Sequence, residues 1–212
     1  MIDWIGKRYW LVGASEGLGR ALALKMSKAG AHVIVSARSE GRLQELCADL
    51  PGTASYVVCD VSDSNDVARA AAEVGEIDGM VYLAGVYWPQ SASQWSADEV
   101  EKMCDINFTG AARVVGQVIG DMVKRDAGHI VLTGSLSGFR GLPGAIGYGA
   151  SKAGIMYLAE SMHADLRQTG VRLQLVNPGI IKTRLTEKNN FRMPFIMDAD
   201  AAAIEMFDHM ND

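Results

Sequence analysis

Short apolar runs alternate along this 212-residue chain with longer segments of mixed polarity, and that order predicts strands separated by helices. Tyr9–Val12, His32–Ala37, Ser55–Cys59, Gly79–Leu83, Ile130–Gly134 and Val171–Val176 are the strand candidates. Ile130–Gly134 has the uninterrupted apolar character of a parallel strand covered on both faces. Helices are expected from Arg20 through Met26, over Arg42–Leu50, Asp66–Val74 and most of Ala97–Val123, from Gly147 to Gln168, and over Asp200–Met210. Local stops agree with these bounds. Gly30 can cap the first helix, Pro51-Gly52 breaks the second, Ser62 or Asp63 can start the third, and Gly170 ends the long one. Strands alternating with helices predict an α/β fold, a doubly wound parallel sheet with helices on both faces, as one domain over residues 1–212.

Composition narrows the partners. A net charge of -5 and a pI near 5.4, with no Lys/Arg cluster, leave no footprint for nucleic acid and none for an anionic membrane. Cys47, Cys59 and Cys104 are odd in number and lack CxxC spacing, so neither a disulfide framework nor a zinc knuckle is indicated, and a reducing compartment fits. His32, His129, His163 and His209 have no metal-ligand spacing with them and read as packed or surface residues. The charged start Met1–Arg8 does not read as a signal peptide, and no apolar run reaches membrane-spanning length. A soluble cytoplasmic protein is expected.

The first strand runs into Gly13-Ala14-Ser15-Glu16-Gly17-Leu18-Gly19 and then a helix. Glycines there allow a tight turn and let a pyrophosphate approach free N–H groups at the helix start, although close helix–strand packing is the plainer reading. The spacing Gly13-x-x-x-Gly17-x-Gly19 resembles the short-chain dehydrogenase/reductase family, with Val12 where that family usually has Thr. The resemblance implies a Rossmann fold, an NAD(P) cofactor held by Gly13, Ser15, Glu16, Gly17, Leu18 and Gly19, and oxidoreductase activity. The second strand ends in Ala37-Arg38-Ser39, without the acid that would favour an adenosine ribose hydroxyl. This favours NADP, with Arg38 toward a 2′-phosphate. Glu16 opposes that choice by its charge, NAD is the alternative, and Arg38 also reads as a solvated helix-start charge. By the same resemblance Asp60 and Val61 flank the adenine, and Ala84-Gly85 is what this chain keeps of an Asn-Asn-Ala-Gly motif, Tyr82 and Leu83 replacing the two amides.

Tyr148 and Lys152 stand four apart, so they leave one face of a helix together. With Ser135 thirteen residues earlier they reproduce the family's Tyr-x-x-x-Lys signature. Tyr148 is expected to give a proton to a carbonyl oxygen, or take one from an alcohol, while Lys152 lowers the phenol pKa by its charge. The resemblance further implies that Lys152 binds the nicotinamide ribose, Ser135 orients the substrate oxygen, and Asn107 sits where a helix distortion holds a water. Pro178, Gly179, Ile181 and Thr183 would then contact the nicotinamide end, and a strand-end turn is the bland alternative. Ser137 and Ser151 are secondary hydroxyls. An apolar lining is read from Leu136, Phe139, Leu142, Pro143, Ala145 and Ile146, a pocket wall or surface packing from Val86–Gln90, and a polar lid from Arg184–Met197. The resemblance spans about Lys7 to Thr183. The usual seventh strand, which helps oligomer contacts, is not apparent, and a homo-oligomer stays possible. Hydride transfer between NADP(H) and a carbonyl or secondary alcohol is the expected function; a sensor or scaffold without turnover is the alternative.

Overall fold

The computed structural model describes residues 2–188 and 192–212. Among the described residues six strands run parallel: β1 (Arg8–Val12), β2 (His32–Ala37), β3 (Ala54–Val58), β4 (Gly79–Tyr82), β5 (Gly128–Thr133) and β6 (Val171–Val176). They lie in the order β3-β2-β1-β4-β5-β6, so the winding reverses between β1 and β4. All six strands expected from the apolar runs are present, His32–Ala37 and Val171–Val176 with the expected ends and the others within two residues.

Seven α-helices among the described residues cover the sheet: α1 (Gly17–Lys28), α2 (Glu40–Asp49), α3 (Ser64–Val74), α4 (Ala97–Cys104), α5 (Gly110–Lys124), α6 (Ile146–Leu166) and α7 (Ala199–Met210). Side chains alternate across the strands and divide the core in two. Trp10, Val12, Ile34, Met80, Tyr82, Ile130 and Leu132 pack toward α3, α5 and α6. Tyr9, Leu11, Val33, Val35, Val81 and Val131 pack toward α1, α2 and α7. The largest buried side chain, Trp10, donates its indole N–H to Ser36 Oγ at 2.8 Å, so burial leaves that group paired. His129 is buried too, its two ring nitrogens 2.9 Å from the Tyr9 hydroxyl and 2.7 Å from Gln174 Oε1. Burial lowers its pKa to about 4, and it is a packed residue tying β1, β5 and β6 together.

Local chemistry sets the boundaries. Asp63, not Ser62, caps α3 by accepting from the N–H groups of Asn65 and Asp66. The long helix expected over 97–123 is interrupted. A wide π-turn, Asp105–Thr109, separates α4 from α5. Of the expected lid, residues 189–191 lie outside the described residues. Its start is a single turn at Thr186–Lys188, and Met197 returns to bridge Ile181.

Candidate active site

Because all strands point the same way, every loop that follows a strand opens on one edge of the sheet, and the reversal between β1 and β4 parts the loops there. A cleft of about 740 Å³ occupies this place. Gly13, Ser15, Glu16, Gly17, Leu18 and Gly19 line it from the loop after β1, Arg38 from β2, and Asp60 and Val61 from β3. Ala84, Gly85, Ser135, Pro178, Gly179, Ile181 and Thr183 line it from β4, β5 and β6, and Tyr148 and Lys152 from α6. Asn107 alone of the expected site residues does not. It is fully buried behind the wall.

The reactive groups meet at the β5 side. Lys152 Nζ lies 5.8 Å from the centroid of the Tyr148 ring, one helical turn away as the spacing required. The Ser135 hydroxyl, whose oxygen accepts the Ser137 N–H at 3.2 Å, lies near enough to the phenol to act on its proton affinity. Tyr87 stands edge-on to Tyr148 with ring centroids 5.0 Å apart, so the aromatic loop after β4 does wall the pocket.

The electrostatics differ from the expectation that Lys152 lowers the phenol pKa. Burial pushes the Tyr148 phenol up, the Ser135 hydrogen bond opposes this, and Tyr87 adds to it. Lys152 is itself buried, and desolvation of the ammonium lowers its pKa to about 8. Its Nζ donates to the Thr133 carbonyl at 2.8 Å. Sequence spacing gives the proximity of the pair but not the dryness of their surroundings, and the dryness decides the sign.

Asn107 sits within the π-turn and its side chain is fully paired. Its Oδ1 accepts the Val86 N–H at 2.7 Å, and its Nδ2 donates to the Val86 carbonyl and to Ser151 Oγ, both at 3.0 Å. Ser151 in turn donates to the Tyr148 carbonyl at 2.8 Å. Both N–H bonds of the amide are thus spent on protein, and Ser151 is a buried link rather than a spare hydroxyl. Tyr82 completes the arrangement: its hydroxyl donates to the Ile106 carbonyl inside the π-turn at 2.6 Å. An added Cβ at Gly110 would lie 2.5 Å from that hydroxyl, so the small residue there makes room for the tyrosine. The phenol of Tyr82 does what a shorter amide at this strand end cannot, bracing the distorted helix across the β4 edge.

At the other end of the cleft the glycine loop is tight. Gly13 has φ +92, and a Cβ on it would sit 2.3 Å from the Ala84 nitrogen; Gly17, at φ +56, would touch the Thr183 methyl at 3.0 Å. Packing therefore accounts for these glycines. The anion site rests instead on the start of α1, whose N-cap residue Glu16 makes no side-chain capping bond. The Glu16 carboxylate is turned away, bonded by Arg42 Nη1 at 2.9 Å and by Arg184 Nη1 at 3.0 Å. Among the described residues Arg38, Arg42, Lys152, Lys182, Arg184 and Lys188 line the cleft against only Glu16 and Asp60, a positive lining on a chain of net charge -5. Asp60 keeps Oδ1 for the N–H and hydroxyl of Ser62. Thr133 Oγ1, buried beside Lys152, has no protein partner among the described residues. An anionic dinucleotide fits this donor set.

Arg42, Lys182, Arg184 and Lys188 were not singled out by sequence, since helix-start and loop cations usually face solvent. Lys188 donates to the Tyr87 carbonyl at 2.7 Å and lies over the Trp88 ring at 4.8 Å. One expectation fails at the substrate side. Leu136, Phe139 and Leu142 are more than half or about half exposed and do not line the cleft, because the turn Leu136–Gly138 carries the chain outward after Ser135.

Comparison with known proteins gives the family. The family model for short chain dehydrogenases matches residues 7–193. A Myxococcus xanthus protein described as an uncharacterized oxidoreductase is 39% identical over 199 residues, covering 91% of this chain and 79% of that one. The 3-oxoacyl-[acyl-carrier-protein] reductase FabG of Rickettsia conorii is 31% identical over 190 residues, covering 90% and 79%. A solved short chain dehydrogenase/reductase family protein superposes with a TM-score of 0.91 at 27% identity, covering 97% of this chain and 90% of its own. The chain therefore belongs to the short-chain dehydrogenase/reductase family, and it is an NAD(P)-dependent oxidoreductase that works by hydride transfer on a small-molecule substrate.

Proposed function

We propose that the protein interconverts a carbonyl compound and the corresponding secondary alcohol with NADP(H), and that Tyr148, Ser135, Lys152 and Asn107 carry the site. The observation that carries this reading is the Tyr148 phenol, with Ser135 and the Lys152 ammonium beside it, in a positively lined cleft. When bound, the dinucleotide supplies or accepts the hydride. Tyr148 gives its proton to the carbonyl oxygen as negative charge develops there, and in the other direction removes it from the hydroxyl. A phenol whose pKa is raised by burial stays protonated at neutral pH, ready to serve the reductive direction. Ser135 is neutral and can bond the same oxygen without adding a charge that competes.

Lys152 would hold the nicotinamide ribose and return a proton toward Tyr148. The Asn107 side chain fixes Val86 and Ser151, so any ordered water belongs to the backbone of the π-turn rather than to the amide. Ser151, through the Tyr148 carbonyl, is a positioning residue. Gly13, Ser15, Gly17, Leu18 and Gly19 receive the pyrophosphate, Asp60 and Val61 the adenine, Ala84 and Gly85 the middle of the cofactor, and Pro178, Gly179, Ile181 and Thr183 the nicotinamide end. Arg38 and Arg42, with no acid at the end of β2, support NADP over NAD.

The test is oxidation of NADPH against a panel of ketones, with Tyr148→Phe as control; the Rickettsia relative's name puts 3-oxoacyl compounds on that panel. The expected result is loss of turnover by about a hundredfold or more in the variant with NADPH binding kept. Equal rates for the two proteins would remove Tyr148 from the chemistry, and tighter binding of NADH than NADPH would overturn the cofactor assignment.

A further inference from the structure

The glycine loop carries an acid where a phosphate-binding cleft has least use for one. Glu16 is the residue before α1, and its carboxylate could cap that helix and cover the first-turn N–H groups. It does neither. Two guanidiniums from distant parts of the chain hold it, Arg42 in the first turn of α2 and Arg184 on the segment after β6. All three side chains line the cleft, on the side where Arg38 and Ser39 leave β2, and all three are between 42% and 63% exposed. Ion pairs so exposed are weak and exchange readily with a stronger anion. A phosphate monoester carries more charge than a carboxylate and three acceptor oxygens, and it suits two converging guanidiniums better.

We propose that Glu16 is an internal competitor for the 2′-phosphate of NADP. In the free protein its carboxylate occupies Arg42 and Arg184; when the 2′-phosphate arrives, those two arginines transfer to it. Glu16 thereby lowers the affinity for NADP without touching a cofactor that lacks the phosphate, and it sets how strongly the site separates the two. Arg184 is the second half of the device. It fastens the segment after β6 to the glycine loop in the free protein and to the cofactor in the complex. This inference rests on the NADP reading above.

Adenosine 2′,5′-bisphosphate and 5′-AMP test it as probes that differ only in the 2′-phosphate, with binding read by calorimetry on the intact chain. Glu16→Gln keeps the size of the side chain and removes the charge. It should tighten the bisphosphate about three- to tenfold and change 5′-AMP less than about twofold, the range expected for releasing two exposed ion pairs. Arg184→Gln should weaken the bisphosphate by a similar factor and leave 5′-AMP alone. A Glu16→Gln protein with unchanged or weaker bisphosphate binding, while the wild type still prefers the bisphosphate to 5′-AMP, overturns the competitor role and leaves the NADP assignment standing. A wild type that binds both probes equally overturns both.

Discussion

Replacing Lys152 by methionine removes a charge and keeps most of the stem, and the structure predicts that this stabilises the protein while destroying its activity. Lys152 is only 5% exposed, and burial takes its pKa from 10.5 to about 8. At about 1.4 kcal/mol per pH unit that drop makes the native ammonium cost about 3 kcal/mol at neutral pH. Losing the bond to the Thr133 carbonyl returns about 1 kcal/mol of that, leaving a net gain of about 2 kcal/mol for Lys152→Met. For a chain of this length the gain appears as a melting temperature higher by about 4–8 °C.

The sign with pH follows from proton counts. The folded protein releases the Lys152 proton near pH 8 and the unfolded chain near 10.5, so between these values the unfolded state binds more protons and wild-type stability rises. The advantage of the methionine variant should therefore be full below about pH 7, shrink above 8 and vanish near pH 10. Urea unfolding of both proteins at several pH values gives the difference, in which the other titrating groups cancel. A methionine variant less stable at neutral pH, or a difference constant with pH, would refute the claim that the ammonium is held against its own desolvation.

Tyr148 predicts an asymmetric pH profile: its phenol is raised above the ordinary 10.0 by burial, so ketone reduction should not gain with pH, whereas alcohol oxidation should keep climbing with pH and not level off below pH 10. Initial rates in both directions check it, and oxidation that stays flat would contradict it. Tyr82→Phe leaves the Ile106 carbonyl in the π-turn without its 2.6 Å bond and should cost about 1–2 kcal/mol in urea unfolding. Gly13→Ala forces a side chain to φ +92 and to 2.3 Å from the Ala84 nitrogen, so it should cost more than about 2 kcal/mol and abolish dinucleotide binding, read by tryptophan fluorescence. Asn107→Ala frees both backbone groups of Val86 as well as Ser151; a fall in kcat larger than any rise in KM is expected from steady-state kinetics, since Tyr148 loses its brace.

Much of this protein is written in local pattern. The apolar runs mark six strands because a parallel strand buried on both faces has no polar side to show, as Ile130, Val131 and Leu132 demonstrate by being fully buried. The pairing of Tyr148 with Lys152 is equally local, since a helix brings residues four apart to one face whatever surrounds it. The glycine loop, Arg38, Asp60 and Gly179 reach the cleft for a similarly simple reason: a residue just past a parallel strand emerges at the carboxyl edge.

The tertiary structure decided what depends on residues far apart in the chain. Glu16 reads as a lone acid hostile to phosphate until Arg184, 168 residues away, closes on it. Asn107 reads as a water holder until Val86 and Ser151 consume its amide, and Tyr82 reads as a missing motif until its hydroxyl reaches Ile106. The same holds for proton affinity. Spacing alone puts the Lys152 charge next to Tyr148, but the cost of removing water is set by the packed environment, and desolvation is the leading cause at both groups.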